Sequence, residues 1–113
     1  MGRVRLAVAT NGSKGLGDEV ADAFALAKTL TLATIDGNKV HVEVLKNPAA
    51  ALSHGRGRTV IRMLAGEGVN VVVASEFGPG ASVLLEQSKI RKVVVRAGTI
   101  VGDIIRDKLY KKG

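Results

Sequence analysis

The hydrophobic pattern of the chain changes in type at residues 47–58, and this change limits the folds that the chain can adopt. Before this stretch, residues 29–35 and 39–45 alternate between apolar and polar side chains on either side of a turn sequence at 36–38, which is typical of a β-hairpin. After it, helical and strand-like patterns alternate to the C-terminus, as they do in repeated βα units. The sequence therefore predicts an α/β fold in which a hairpin and βα units share one mixed sheet.

Three further strands are predicted outside the hairpin. Residues 4–10 form a short run rich in Val and Ala, followed by a turn cluster, and residues 69–74 form a run rich in Val. Runs of this kind are typical of central strands that are buried on both faces. Residues 90–96 repeat the signal, so that the sheet is expected to have five strands.

Helices are predicted where apolar residues recur with helical spacing. One helix begins near Arg56 and ends by Gly68, a second spans residues 81–88 with Pro79 just ahead of it, and the last carries its apolar stripe over residues 100–109. These helices would connect the strands of the second half and cover the sheet.

A helix is also predicted over residues 15–27, because Val20, Phe24 and Ala27 would fall on one of its faces. Acidic residues at its beginning suit the positive end of a helix dipole. This helix would connect the first strand to the hairpin.

Length and composition narrow the functional classes. The 113 residues are expected to form one domain, 1–113, and the net charge of +7 favours anionic partners. With two Phe, one Tyr and no Trp, an aromatic platform for stacking nucleic-acid bases is hard to assemble, so nucleic acid is an unlikely partner.

The lack of cysteine excludes disulfides, thiolate metal sites and thiol catalysis. No secretory signal or membrane-spanning run is evident, so we expect a cytoplasmic protein that does not enter the membrane.

The richest candidate site lies in the stretch His54, Gly55, Arg56, Gly57 and Arg58. The free N–H groups at the start of a helix attract anions, and the two arginines add to that field. A lone histidine is more often structural than functional, but glycines weaken a helix start and so call for a compensating reason. We therefore take these residues as a binding site for an anionic ligand, near which His54 supplies the only imidazole; without a second ligand at suitable spacing, a mononuclear zinc site is not expected.

Two other loops are expected at the same edge of the sheet, because ligands of open α/β sheets bind beyond the carboxyl ends of the parallel strands. The loop at 75–80 contains Gly78 and Pro79, which we include in the site. The glycine-rich loop at 10–17 contributes Asn11 and Gly12 and could bind phosphate through its backbone N–H groups. It is similar to the cofactor loop of short-chain dehydrogenases, but the remaining motifs of that class are absent.

The order and spacing of several segments are similar to those of the dinitrogenase iron-molybdenum cofactor biosynthesis family. These segments are the strand at 4–10, the hairpin end at 43–48, the string at 54–57, the strand at 69–74 and the turn at 77–81. The resemblance implies a ribonuclease-H-like, three-layer fold. Its sheet would be mixed and five-stranded, with order 3-2-1-4-5, an antiparallel second strand and helices on both faces.

The resemblance also implies a function, that of a non-enzymatic protein which holds or passes on an iron-sulfur or iron-molybdenum cluster precursor. His54 and the backbone near Gly55 and Gly57 occupy the matching position, so the resemblance makes His54 the candidate metal ligand. Many relatives carry the string Glu-His-Phe-Gly-Arg in the first loop, where this chain has Asp22-Ala23-Phe24-Ala25-Leu26. With a single candidate imidazole, a tightly ligated cluster would need exogenous ligands or a second subunit.

Other functions stay open at this point. The chain could bind a nucleotide phosphate through residues 11–17, act as a basic accessory protein to nucleic acid, or dock on a protein partner as a monomer or a homodimer. No combination of nucleophile, base and orienting group is evident, so we do not expect an enzyme.

Overall fold

A computed structural model describes residues 2–111 of the chain. Its five strands form a single sheet with the order β3-β2-β1-β4-β5. The strands are β1 (Val4–Thr10), β2 (Thr29–Asp36), β3 (Lys39–Lys46), β4 (Val71–Ala74) and β5 (Arg91–Val94). The strand β2 runs antiparallel to both β1 and β3, while β1, β4 and β5 are parallel. The predicted strand order and directions are therefore confirmed.

Three α-helices cover the sheet, namely α1 (Arg56–Gly66), α2 (Pro79–Gln87) and α3 (Val101–Arg106). Short 3-10 turns lie at Gly15–Gly17 and Leu109–Lys111. The helices α1 and α2 pack on one face of the sheet, whereas α3 packs on the other face together with Tyr110. The three-layer arrangement implied by the resemblance is confirmed. None of the helices in residues 2–111 is long and apolar enough to cross a membrane.

The protein has one hydrophobic core on each face of the sheet, and the alternating side chains of β1 contribute to both. Ala7 and Ala9 are fully buried beneath α1 and α2, and their small side chains leave room for larger residues such as Leu64. Leu6 and Val8 point to the opposite face and pack with α3. Because side chains alternate across a strand, a single apolar run can supply both layers.

The helix predicted over residues 15–27 is wrong, because this segment passes from one face of the sheet to the other. Val20 is buried in the core beneath α3, whereas Phe24 is buried in the core beneath α1 and α2. Backbone bonds hold the crossing segment extended: the Val20 N–H donates to the Thr99 carbonyl at 2.9 Å, and the Ala21 N–H donates to the Ala9 carbonyl at 2.8 Å. Only the 3-10 turn at Gly15–Gly17 is helical here.

Arg5 ties the amino-terminal end of β1 to three other segments. Its guanidinium donates to the Glu67 carbonyl at 2.6 Å and to the Thr34 hydroxyl at 2.7 Å. It also pairs with the carboxylates of Glu43 and Glu67, at 3.2 and 3.0 Å. The Arg5 side chain thus connects β2, β3 and the end of α1 at the edge of the sheet opposite to the candidate site.

We expect Arg5→Met to lower the free energy of unfolding by about 1 kcal/mol, because the ion pairs are partly exposed and weakened by solvent. Urea denaturation measures this change, with Arg3→Met as the control for loss of an exposed arginine. Equal losses in the two variants would contradict the connecting role of Arg5.

Candidate functional site

The helices α1 and α2 begin at the same edge of the sheet. The chain leaves α1 to enter β4 and leaves β4 to enter α2, and both helices pack on the same face. Both helices therefore start beyond the carboxyl end of β4, where open α/β sheets bind ligands. The loops at 53–58 and 75–80 are brought together as predicted from the sequence.

Both helix starts leave their N–H groups open. Gly55 precedes α1 with φ of 69°, a left-handed conformation that glycine adopts without strain, and Gly78 precedes α2. Among the described residues, no side chain caps either start. The first turns also approach each other closely, because a Cβ added to Gly57 would lie 3.7 Å from the Cβ of Ala81. Two positive helix ends therefore point toward one place.

A cavity of about 550 Å³ lies between these helix starts. Its lining residues are His54, Gly55, Arg56, Gly57, Arg58, Gly80, Ala81 and Leu84. The five consecutive residues predicted from the sequence all contribute to it. Within the described part of the chain, the lining contains two arginines and no carboxylate, so the cavity is suited to an anion.

Arg56 carries the most informative atom in this cavity. Its Nε atom is buried and has no hydrogen-bond partner, which is true of no other buried side-chain nitrogen or oxygen atom in residues 2–111. A buried donor without an acceptor destabilises the protein by about 1–3 kcal/mol, so nearly all such groups are paired in folded proteins. Arg56 therefore offers a buried N–H donor that no protein atom of the described residues accepts from.

A second cavity of about 410 Å³ adjoins the first and shares Gly57 and Ala81 with it. The predicted site residues Gly78 and Pro79 line this second cavity rather than the first. Its remaining lining is mainly apolar and consists of Ala23, Phe24, Ala25, Leu26, Glu76 and Phe77. The candidate site is therefore a cleft with a cationic half and an apolar half.

Local contacts fix the apolar half. The Ser75 hydroxyl donates to the carbonyls of Ala21 and Asp22, at 2.8 and 2.7 Å. The rings of Phe24 and Phe77 pack with their centroids 5.2 Å apart and their planes tilted by 40°. These contacts join the first loop to the turn before α2.

Asn47 is hydrogen-bonded to the backbone of the same loop, a role that the sequence did not reveal. Its buried side-chain amide donates to the carbonyls of Ala25 and Ala27, at 3.0 and 2.8 Å, and its oxygen accepts from the Ala49 N–H at 2.9 Å. The sequence feature that could have indicated this role is an asparagine directly before Pro48, at the end of an alternating strand. The side chain of an asparagine in such a place often bonds to nearby backbone groups.

The glycine-rich loop at 10–17 lies apart from this cleft. Asn11 and Gly12 line a different cavity of about 550 Å³, together with Lys28 and Lys46. Among the residues that the structure describes, none from 53–58 or 75–80 lines it. The structure thus separates Asn11 and Gly12 from the other predicted site residues.

The glycine-rich loop already encloses a carboxylate. Asp18 is 3% exposed, and its oxygens accept from the N–H groups of Lys14 and Glu19, at 3.0 and 2.8 Å. A phosphate in the same turn would meet this negative charge and would compete for N–H groups that are already bonded. The geometry therefore does not favour phosphate binding by the loop.

We expect Asp18→Ala to lower the free energy of unfolding by about 2 kcal/mol, because two N–H groups lose their acceptor. Asp36→Ala, at the exposed end of β2, is the matched control and should change stability by less than about 0.5 kcal/mol. Chemical denaturation of both variants tests this. Similar losses would show that Asp18 has no special role in the loop.

Residues 2–111 contain two histidines, which lie in different places. His54 is exposed at the cavity, whereas His41 lies on β3, where it pairs with Thr34. In residues 2–111, no three His, Cys, Asp or Glu side chains are grouped so that they could hold a metal ion. His54 is thus the one imidazole that the described structure offers to a metal in this cleft.

Three solved structures have folds similar to that of this chain. The apo form of the orange protein from Desulfovibrio gigas is 27% identical, with a TM-score of 0.83 over 93% of this chain and 86% of that protein. A putative NifB protein from Thermotoga is 30% identical, with a TM-score of 0.74 over 93% of this chain and 86% of that protein. The protein PH0822, at 22% identity and a TM-score of 0.79 over 96% of this chain and 93% of its own, shows the likeness of fold.

Curated proteins give no significant match to this sequence. The family profile described as dinitrogenase iron-molybdenum cofactor, by contrast, matches residues 3–111, which is nearly the full chain. The chain belongs to the dinitrogenase iron-molybdenum cofactor family.

Proposed function

We propose that this protein is a non-enzymatic carrier that binds an anionic iron-sulfur or iron-molybdenum cluster precursor between the starts of α1 and α2. The buried, unpaired Nε atom of Arg56 is the observation that carries this proposal. It supports an anionic ligand at this place, and membership of the family supports a metallocluster precursor as that anion. The precursor is cargo that is bound and released unchanged.

The cationic half of the cleft would hold the cargo mainly by electrostatic attraction. Each helix start contributes about 0.3–1 kcal/mol toward an anion, and hydrogen bonds to a charged group contribute about 1.5–3 kcal/mol. Arg56 would donate to a sulfide or other anionic atom at the buried end, while Arg58 adds charge. His54 would bind one metal of the cargo through an imidazole nitrogen.

The composition of the cavity favours binding over catalysis. Among its described lining residues there is no serine, threonine or carboxylate that could act as a nucleophile beside His54, the one residue there that could act as a general base. Arginines, glycines and one histidine can hold an anion without transforming it.

An anaerobic titration with a synthetic iron-sulfur cluster that carries exchangeable thiolate ligands, followed by visible absorption, tests the proposal. We expect saturable binding that His54→Ala weakens by at least about tenfold, or ~1.4 kcal/mol. His41→Ala removes the other histidine, on exposed β3, and should leave the affinity unchanged. Failure of the wild type to bind, or equal effects of the two variants, would contradict the proposal.

A further inference from the structure

The positive charge of the chain is concentrated in its last segment. Residues 89–113 contain eight Lys and Arg against two Asp, whereas residues 1–88 contain nine Lys and Arg against eight Asp and Glu. The final 25 residues therefore carry +6 of the net charge of +7. Local charge of this size attracts acidic partners to the surface that carries it.

The fold gathers several of these cations around the start of β5. The Arg91 guanidinium donates to the carbonyl of Lys111 at 3.2 Å and to that of Tyr110. These bonds place the last 3-10 turn, with the exposed side chain of Lys111 and that of the preceding Lys108, beside the strand. Lys92, the next residue of β5, is also exposed. The start of β5 is thus a cationic surface built from two separate segments.

The strand β5 lies at the edge of the sheet and has open backbone groups. In residues 2–111, no strand pairs with the side of β5 that faces away from β4. The Arg91 and Val95 N–H groups donate, at 2.9 and 3.0 Å, to carbonyls at the two ends of β4. Because backbone groups alternate in direction along a strand, the N–H and C=O groups of Lys92 and Val94 point outward. Such an edge can pair with an extended segment of another chain.

The two faces of β5 differ in character. Arg91 shares a face with the buried Val93, on the side of α3 and the charged turn. Lys92 and Val94 lie on the other face, where Lys92 donates to a serine hydroxyl of α2 at 2.9 Å. Val94 is 61% exposed, and Val83 on α2 is 56% exposed. One face therefore offers positive charge, and the other offers apolar surface.

A carboxylate on the apolar side strengthens this difference. Glu86 of α2 lines a cavity of about 500 Å³ on that side, together with Val83 and Lys92. An acidic side chain placed there would meet the like charge of Glu86, which is unfavourable. Because successive side chains of a strand point to opposite faces, an added strand fits best when its acidic and apolar residues alternate.

We propose that the outer edge of β5 binds an extended segment of a partner protein in which acidic and apolar residues alternate. The segment adds a strand to the sheet, with its acidic side chains toward Arg91 and Lys111 and its apolar side chains toward Val83 and Val94. A nucleic-acid backbone would use the cations but neither the strand edge nor the valines. Two copies of this cationic edge would repel each other. The inference goes beyond the proposed function and does not depend on cluster binding.

A fluorescently labelled peptide of alternating glutamate and valine, titrated with the full chain and followed by anisotropy, tests the proposal. We expect saturable binding that N-methylation of the central amides of the peptide weakens by at least about tenfold, because main-chain hydrogen bonds are lost while the charge is kept. A peptide of the same composition, with its glutamates and valines in two separate blocks, should bind as weakly. Neither comparison changes the protein, so neither depends on the folding of a variant.

Substitutions in the chain locate the binding surface. Lys111→Glu should weaken peptide binding by at least about fivefold, whereas Lys39→Glu, at the exposed start of the other edge strand β3, changes the net charge equally and should weaken it by less than about twofold. Val94→Ser should weaken binding by at least about threefold, because apolar contact area is lost. Val40→Ser removes a 41% exposed valine from β3 and should leave binding unchanged.

Other results would overturn the proposal. Equal affinity for the N-methylated peptide, or equal effects of Lys111→Glu and Lys39→Glu, would mean that net charge alone attracts the peptide. Tighter binding of duplex DNA or of anionic phospholipid vesicles than of the peptide, lost in Lys111→Glu, would assign this edge to nucleic acid or to a membrane surface instead. Failure of the wild type to bind the peptide would overturn the proposal and leave the proposed function untouched.

Discussion

Arg56→Met is expected to weaken cluster binding by about 10- to 100-fold, while the protein becomes slightly more stable. The loss of affinity follows because the variant removes a buried donor to a charged ligand, an interaction of about 1.5–3 kcal/mol. The gain in stability, about 1 kcal/mol, follows because no protein atom of the described residues accepts a hydrogen bond from the buried Nε atom and because methionine retains the apolar stem. Anaerobic titration and urea denaturation measure the two effects.

Arg62→Met is the matched control for Arg56→Met. Arg62 is exposed on the same helix and does not line the cavity between the helix starts. Its loss removes one positive charge at a greater distance and should weaken binding by less than about threefold. Equal losses in affinity would mean that net charge alone attracts the ligand, and a less stable Arg56→Met protein would indicate that Arg56 has a structural role.

Asn47→Ala is expected to lower the free energy of unfolding by about 3 kcal/mol and the melting temperature by about 15 °C. The variant leaves the carbonyls of Ala25 and Ala27 and the Ala49 N–H without their partner in a buried place. Each unsatisfied group contributes about 1–3 kcal/mol, and partial access of water reduces the sum. Thermal and urea denaturation measure the loss.

Asn38→Ala provides the comparison for Asn47→Ala. Asn38 is exposed in the turn between β2 and β3, so its replacement should change stability by less than about 0.5 kcal/mol. If Asn47→Ala were as mild as Asn38→Ala, the amide of Asn47 would not be what holds the first loop in place.

The sheet could be predicted from the sequence because its signals are local. The alternating residues of β2 and β3 and the apolar run of β1 specify strands through patterns that a few neighbouring residues define. The helix predicted over residues 15–27 failed because Val20 and Phe24 have helical spacing but belong to different faces of the sheet. Backbone partners near Thr99, far along the chain, hold this segment extended.

The candidate site could be predicted only in part for a similar reason. The glycines and arginines at 54–58 point to an open, cationic helix start without knowledge of the fold. The approach of Ala81 to Gly57 and the burial of the Arg56 Nε depend on how α1 and α2 pack. The carboxylate of Asp18 inside the glycine-rich loop likewise results from tertiary folding, and a motif alone does not show it.

Amide NMR spectra of the isotope-labelled chain, recorded anaerobically as the thiolate-ligated cluster is added, test the central claim most directly. The paramagnetic cluster broadens signals from nearby residues, so the binding place is read without a substitution. We expect the signals of residues 54–58, with Gly80 and Ala81, to broaden first and to saturate with the binding curve. Selective broadening at residues 11–13 and 44–47, or uniform broadening over the chain, would contradict binding between the helix starts.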